Sequence, residues 1–140
     1  MSIINDYPEH SVLLRRSVYR QFILFALVGA VATTVHYLFM GGLIILSAVH
    51  PVSATVAGFI AGALTGYLLN RRFTFRSRCA HRQALQRYLL VAGSGLSINT
   101  LIVALGIAAG LHYALAQVGA TVLVLFWNFW ANRYWTFGNG

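Results

Sequence analysis

Two stretches of the sequence repeat each other: Asn-Arg-Arg-Phe-Thr-Phe at residues 70–75 and Asn-Arg-Tyr-Trp-Thr-Phe at residues 132–137. Each stretch directly follows a long apolar run. Asn, Arg, an aromatic residue, Thr and Phe recur in the same order, 62 positions apart. We therefore predict two copies of one membrane hairpin, each ending in the same polar junction.

The composition around these hexapeptides is that of an integral membrane protein. Hydrophobic residues make up 59% of the chain and charged residues 9%, whereas a soluble domain carries about 25% charged residues. A helical span needs about 20 apolar residues, so four spans nearly fill the chain. Alternation of apolar and polar residues is absent, which favours helices over a transmembrane barrel. The expected spans are Gln21–Ala48, Val52–Leu69, Tyr88–Gly110 and Tyr113–Ala131.

The charges predict the orientation of these spans. The chain has ten arginines and no lysine, and the arginines precede the first span, fill the central segment or follow the fourth span. By the positive-inside rule, both termini and the central loop are expected in the cytoplasm, at the inner membrane. This pattern accounts for the net charge of +8 without nucleic acid as a partner. No cleavable signal peptide is evident, so the first span is expected to remain a helix.

The repeat also covers the points at which the hairpins enter the membrane. Arg20-Gln21-Phe22 aligns with Gln86-Arg87-Tyr88 at an offset of 66 residues. Both copies enter from the same side, so they are parallel repeats, and two such hairpins predict a pseudo-twofold four-helix bundle. The expected segments are an N-terminal cytoplasmic stretch at 1–19, loosely structured through Ser11, a first hairpin at 20–75, a basic loop at 76–86 and a second hairpin at 87–140.

Small residues on the second span predict close helix contact. Gly58, Gly62 and Gly66 follow one another at four-residue spacing, which lets helix backbones approach in a membrane. The stripe serves either packing within the chain or contact between copies in a homo-oligomer.

Polar residues also fall at membrane depth. Thr33 and His36 lie in the first span, Asn99 in the third and Asn128 in the fourth. Such groups are costly in hydrocarbon and are expected to face the bundle interior or a wet cavity. They either hydrogen-bond between helices or line a path for a polar headgroup.

Several kinds of chemistry are excluded by the residues that are missing. The chain has only two acidic residues, Asp6 and Glu9, so the spans lack a carboxylate proton relay, a pair of acids for glycosyl transfer and the usual magnesium ligands. The single Cys79 builds neither a disulfide nor a cysteine metal site, and no glycine-rich nucleotide loop is present. We expect no cofactor, no metal and no enzyme activity of the chain alone.

The motifs resemble those of the GtrA-like family. The resemblance rests on the two hexapeptides, on Phe-Ala-Leu-Val-Gly at residues 25–29 and on Thr-Thr-Val-His at residues 33–36, and it extends from Arg20 to Phe137. Members of that family are small four-helix membrane proteins of cell-surface polysaccharide pathways, best known for the proposed translocation of bactoprenol-phosphate-linked glucose. The resemblance therefore implies a substrate with a polyprenyl tail, a phosphate and a sugar.

The residues available can accommodate each part of such a substrate. Arg71 and Arg133, with Arg20 and Arg87 at the matching helix entrances, are candidates for two phosphate-binding clusters that use forked hydrogen bonds. Two amides would either orient these arginines or contact sugar hydroxyls. The aromatic residues would either contact prenyl carbons and the sugar face or form an interfacial belt. The amides are Asn70 and Asn132, and the aromatic candidates are Phe73, Phe75, Trp135 and Phe137.

Two other functions stay open. The chain is alternatively a non-catalytic anchor or assembly subunit that recruits a polyprenyl-phosphate glycosyltransferase, because tiny turns and a glycine stripe suit a scaffold equally well. A small multidrug-type exporter is a weaker third candidate, since such exporters rely on a membrane carboxylate. The expected partners are the polyprenyl-phosphate-sugar lipid, membrane lipids and further copies of the chain.

Overall fold

Four α-helices and two short π-helical turns make up the described part of the fold. The computed structural model describes the backbone of residues 8–138 and the side chains of residues 17–138, and this part of the chain contains no strand. All four helices are long and apolar enough to cross a membrane, which confirms the predicted all-helical, four-span class. The helices are α1 (Pro8–Ser47), α2 (Pro51–Leu69), α3 (His81–Ala108) and α4 (Tyr113–Ala131).

The helix bounds differ from the expected spans mainly where α1 and α3 begin. α1 begins at Pro8 rather than Gln21, and α3 at His81 rather than Tyr88. The residues before the third span are mostly arginine, glutamine, alanine and leucine, which favour helix, and leucine and arginine also occur before the first span. Both helices therefore continue beyond the apolar segment. The expected loose N-terminal stretch falls partly outside the described residues, at 1–7, and its remainder belongs to α1.

Both hexapeptides are π-helical rather than α-helical. The helices α2 and α4 continue without a break into five-residue π turns, which we call π turn 1 (Asn70–Thr74) and π turn 2 (Asn132–Thr136). The two π turns lie beside α1 and α3 at one end of the bundle, called the motif end below. The opposite end, with the two hairpin connections, is called the turn end.

Matching histidines begin the second helix of each hairpin. Nδ1 of His50 accepts a hydrogen bond from the Val52 amide at 3.3 Å, and Nδ1 of His112 accepts one from the Ala114 amide at 3.2 Å. The two caps stand 62 positions apart in the sequence, like the hexapeptides, so the repeat extends over all of α2 and α4.

The helices pack closely within each hairpin and only slightly between hairpins, apart from the motif end. Glycines explain the close contact of α1 and α2. A Cβ atom added to Gly58 would lie 2.6 Å from the His36 carbonyl oxygen, and one added to Gly62 would lie 2.8 Å from that of Ala32. Gly66 lies between α1 and α3, where an added Cβ would lie 2.6 Å from the Tyr88 hydroxyl and 3.3 Å from the Ala32 Cβ.

Aromatic rings join the two hairpins around a pseudo-twofold axis. Phe75 and Phe137 are equivalent residues of the two hexapeptides, and their rings stack at 5.1 Å. The flanking contacts come in equivalent pairs: Tyr67 meets Tyr88 as Phe129 meets Phe22, and Tyr67 meets Phe137 as Phe129 meets Phe75. Each repeat thus presents the same aromatic face to the other.

Candidate functional site

The asparagine and threonine of each hexapeptide are buried inside the π turns. Asn70, Thr74, Asn132 and Thr136 are all at most 3% exposed. The Phe75 amide donates to the Asn70 carbonyl, and the Phe137 amide to the Asn132 carbonyl, each at 2.9 Å. These bonds span five residues and define the π turns.

The amide side chains add further hydrogen bonds to this backbone pattern. Thr74 Oγ1 donates to Asn70 Oδ1 at 2.8 Å, and Asn132 Nδ2 donates to the Asn128 carbonyl at 2.8 Å. Asn70 is also hydrogen-bonded to the Tyr88 hydroxyl of the other hairpin. Protein encloses the side chains of Asn70 and Asn132, so these residues shape the site from within.

Arg71 lies in a cavity between the end of α2 and the start of α3. The cavity has a volume of about 560 Å³ and is lined by Arg71, Arg72, Arg76 and His81, among others. His81 is fixed there by Tyr67, whose hydroxyl lies 3.0 Å from His81 Nδ1. The Arg71 Nη1 atom is shielded from solvent and has no hydrogen-bond partner among the described residues.

Arg133 lies in a smaller cavity against the other hairpin. This cavity of about 260 Å³ is lined by Arg133, Tyr134 and Phe137 of π turn 2 and its end, and by Gln21 and Phe75 of the first hairpin. The buried Nε atom of Arg133 has no partner in the described part of the chain. Arg133 therefore faces the helix entrance of the first hairpin, whereas Arg71 lies beside the start of α3 at His81.

The two entrance arginines are placed differently from each other. Arg20 is exposed and lines a cavity of about 350 Å³ together with Gln21, Phe73 and Arg76. Arg87 is engaged within its own hairpin, where Nη1 donates to the Trp135 carbonyl at 2.9 Å and the guanidinium lies 5.7 Å from the indole centre. Arg20, Arg71 and Arg133 line three different cavities, so no two of the four predicted arginines share one of the cavities described here.

The candidate aromatic residues divide into two groups. Phe73 and Trp135 are about half exposed, at 52% and 46%, at the rim of the motif end. Phe75 and Phe137 belong to the aromatic contact between the hairpins, and Phe137 is only 4% exposed. The expected contact of Phe137 with lipid or sugar does not fit this position, because protein encloses the ring.

The motif end is strongly cationic without internal neutralisation. All side chains from residue 17 to residue 138 lack a carboxylate, so no acidic side chain pairs with the arginines in the part of the chain that the structure describes. Partly buried guanidinium groups without a counter-ion are costly. An anion supplied from outside the chain would lower that cost. The same residues offer no group of three or more metal-binding side chains.

A separate cleft between the hairpins holds most of the polar residues expected at membrane depth. It has a volume of about 400 Å³, and all four helices contribute to its walls, including Thr33, His36 and Asn128. Asn128 Oδ1 has no hydrogen-bond partner among the described residues. Asn99 lies elsewhere and accepts a hydrogen bond from Gln117 Nε2 at 3.2 Å, which ties α3 to α4.

Several residues of these sites were not singled out from the sequence. No role was assigned from the sequence to Gln117, which bonds Asn99, or to His81 and Gln21, which line cavities. For Gln21 a signal exists, because it occupies the repeat position of Arg87. A glutamine in an apolar span, such as Gln117, is a similar signal for an interhelical hydrogen bond.

Comparison with known proteins agrees with this architecture. Residues 24–137 match the family described as GtrA/DPMS, transmembrane domain. A relative in Bacillus subtilis (strain 168), whose name is "Uncharacterized membrane protein YngA", is 28% identical over 121 residues, which cover 82% of this chain and 78% of that protein. Since the family match takes in both hairpins, both π turns and the aromatic contact between them, this multi-pass membrane protein belongs to the GtrA/DPMS transmembrane domain family.

Proposed function

We propose that the protein translocates a polyprenyl-phosphate-linked hexose, with glucose as the first candidate, across the cytoplasmic membrane for modification of a cell-surface polysaccharide. The motif end faces the cytoplasm in this proposal, because the arginines concentrate there. The tail of the lipid stays in the bilayer, and only the sugar phosphate passes between the hairpins.

The observation that carries the proposal is the unneutralised positive charge of the motif end. Arg71 Nη1 and Arg133 Nε are buried without partners, so a phosphate gains charge-assisted hydrogen bonds there. Phe73 and Trp135 at the rim are exposed to prenyl carbons. A lipid phosphate reaches these arginines from the side, without leaving the membrane.

The cleft between the hairpins supports movement of the headgroup. Thr33, His36 and Asn128 supply hydrogen-bonding groups within a stretch of otherwise apolar helices. The helices of the two hairpins touch only slightly, and aromatic rings join the hairpins at the motif end. The remaining interface can therefore separate around a sugar while the aromatic contact holds the two hairpins together.

The test is a liposome assay with the purified full chain and a short-chain polyprenyl-phosphate glucose, in which an external reagent reports the accessible headgroups. The wild type should accelerate crossing of the headgroup. The double variant Arg71→Ala/Arg133→Ala should reduce that acceleration at least tenfold. Arg78→Ala/Arg82→Ala is the matched control, because it removes the same charge from exposed arginines that line none of the cavities described above. It should retain the wild-type rate.

Failure of the folded wild type to accelerate crossing would reject the carrier. The anchor function would then be tested by co-purification with a polyprenyl-phosphate glycosyltransferase.

A further inference from the structure

The two repeats differ at the motif end in the residues equivalent to Arg87 and Trp135. In the second hairpin, Arg87 donates to the Trp135 carbonyl and covers the indole ring. The equivalent residues of the first hairpin are Gln21 and Phe73, at the same repeat offsets. No arginine occupies that place, and a cavity of about 350 Å³ lies beside Gln21 and Phe73 instead.

This cavity, called the central cavity below, shares lining residues with both cavities that contain a hexapeptide arginine. Arg76 lines it and also lines the cavity of Arg71. Gln21 and Phe75 line it and also line the cavity of Arg133. Its volume lies in the range of about 300–1,000 Å³ that is usual for small-molecule sites.

The groups around the cavity require two properties of a ligand. Arg20 and Arg76 present positive charge that no described carboxylate neutralises, which calls for an anion. Gln21 Oε1 is a buried acceptor without a donor, and a buried acceptor left unpaired costs about 1–3 kcal/mol. A fully ionised phosphate has no donor to offer, whereas a sugar hydroxyl donates. A phosphorylated sugar meets both requirements.

We propose that this central cavity of the first hairpin is the binding site for the phosphohexose headgroup, and that Arg87 occludes the equivalent place in the second hairpin. The ligand class assigned to this site rests on the proposed function. It follows that each chain binds one headgroup despite its internal repeat.

The decisive variant is Gln21→Arg, which copies the second hairpin's arrangement into the first. The new guanidinium should reach the Phe73 carbonyl and fill the cavity. In calorimetric titrations of the detergent-purified full chain with short-chain polyprenyl-phosphate glucose, the wild type should bind one ligand per chain. Gln21→Arg should weaken binding at least tenfold. Gln86→Arg makes the same change at an exposed position of α3 and should bind as the wild type does.

The reverse variant, Arg87→Gln, should open the second place without creating a second site, because Gln86 and Gly138 stand there at the positions equivalent to Arg20 and Arg76. Its stoichiometry should stay at one per chain, with thermal unfolding recorded to establish that it is folded, and a second bound ligand would contradict the role of Arg20 and Arg76. Wild-type binding by Gln21→Arg, or two ligands bound by the wild type, would overturn the proposal.

Competition distinguishes the source of the phosphate. Displacement by glucose 1-phosphate supports a headgroup site. Displacement by phosphatidylglycerol micelles alone overturns it in favour of a general lipid contact.

The liposome assay separates this proposal from the function itself. If Gln21→Arg binds the ligand more weakly but the wild type does not accelerate crossing, the site is retained and the carrier is rejected. If the wild type accelerates crossing and Gln21→Arg binds and transports as the wild type does, the site is rejected and the carrier is retained.

Discussion

Asn70 and Asn132 show how a polar residue in a membrane protein can shape a site from beneath its surface. Both side chains are 2% exposed, and their carbonyls receive the hydrogen bonds that close the π turns. The arginine that follows each of them is thereby directed into a cavity. The sequence revealed that these residues are repeated, but burial depends on the partner hairpin, so it could not distinguish a shaping role from direct contact with a sugar.

Substitution of Asn70 tests this shaping role. Asn70→Ala should lower the free energy of unfolding by about 1–3 kcal/mol, because Thr74 Oγ1 loses its acceptor in a buried position. Thr34→Ala removes a hydroxyl on the exposed side of α1 that bonds only within its own helix, and should change stability by no more than about 0.5 kcal/mol. Thermal or denaturant unfolding in detergent measures both. Equal stability of Asn70→Ala and the wild type would contradict the role.

The helices and turns were predicted unequally well. The bounds of α4 agree with the sequence analysis, since a continuous apolar run ends at a charged motif on one side and a histidine cap on the other. The π turns were not predicted, because Asn, Arg and aromatic residues are equally compatible with an α-helix. A π turn contains one residue more than an α-helical turn. Here that residue accompanies the packing of Phe75 against Phe137, a tertiary contact that a local sequence pattern does not reveal.

The packing of α2 on α1 gives a prediction for the glycine stripe. Gly62→Ala should destabilise the protein by about 1–3 kcal/mol, because its Cβ would approach the Ala32 carbonyl oxygen and backbone atoms cannot turn aside. Gly41→Ala lies on α1 with open space around the new methyl group, and should be neutral or stabilising by up to about 1 kcal/mol. Unfolding of the two variants in the same detergent is the measurement. Similar losses from both substitutions would mean that close contact at Gly62 is not the cause.

The molecule as a whole is held together at the motif end. The offsets of 62 and 66 predicted parallel repeats, and the paired aromatic contacts follow that relation. They did not predict that Arg133 faces the entrance of the first hairpin, because a repeat offset relates two sequences and does not say which residues of the two copies meet in space.

Among the substitutions discussed, removal of the Phe137 ring from the aromatic contact between the hairpins should lower the free energy of unfolding most. Phe137→Ala should cost about 3–5 kcal/mol, since Phe137 is buried against Tyr67, Phe75 and Tyr88. Phe39→Ala removes an equal ring that is 50% exposed on α1 and should stay within about 1 kcal/mol of the wild type. Tryptophan fluorescence during thermal unfolding compares them. A smaller loss for Phe137→Ala than for Phe39→Ala would place the stabilising contact elsewhere.

The π turns also limit how the two halves of the coding sequence can change. An α-helix rotates by about 100° per residue, so loss of one residue from one hexapeptide would swing its final phenylalanine by about that angle away from the axis. The other copy would keep its orientation, and Phe75 and Phe137 would no longer stack. A one-residue insertion or deletion in either hexapeptide is therefore expected to break this contact, and a matched pair of such changes would turn both rings away from the axis.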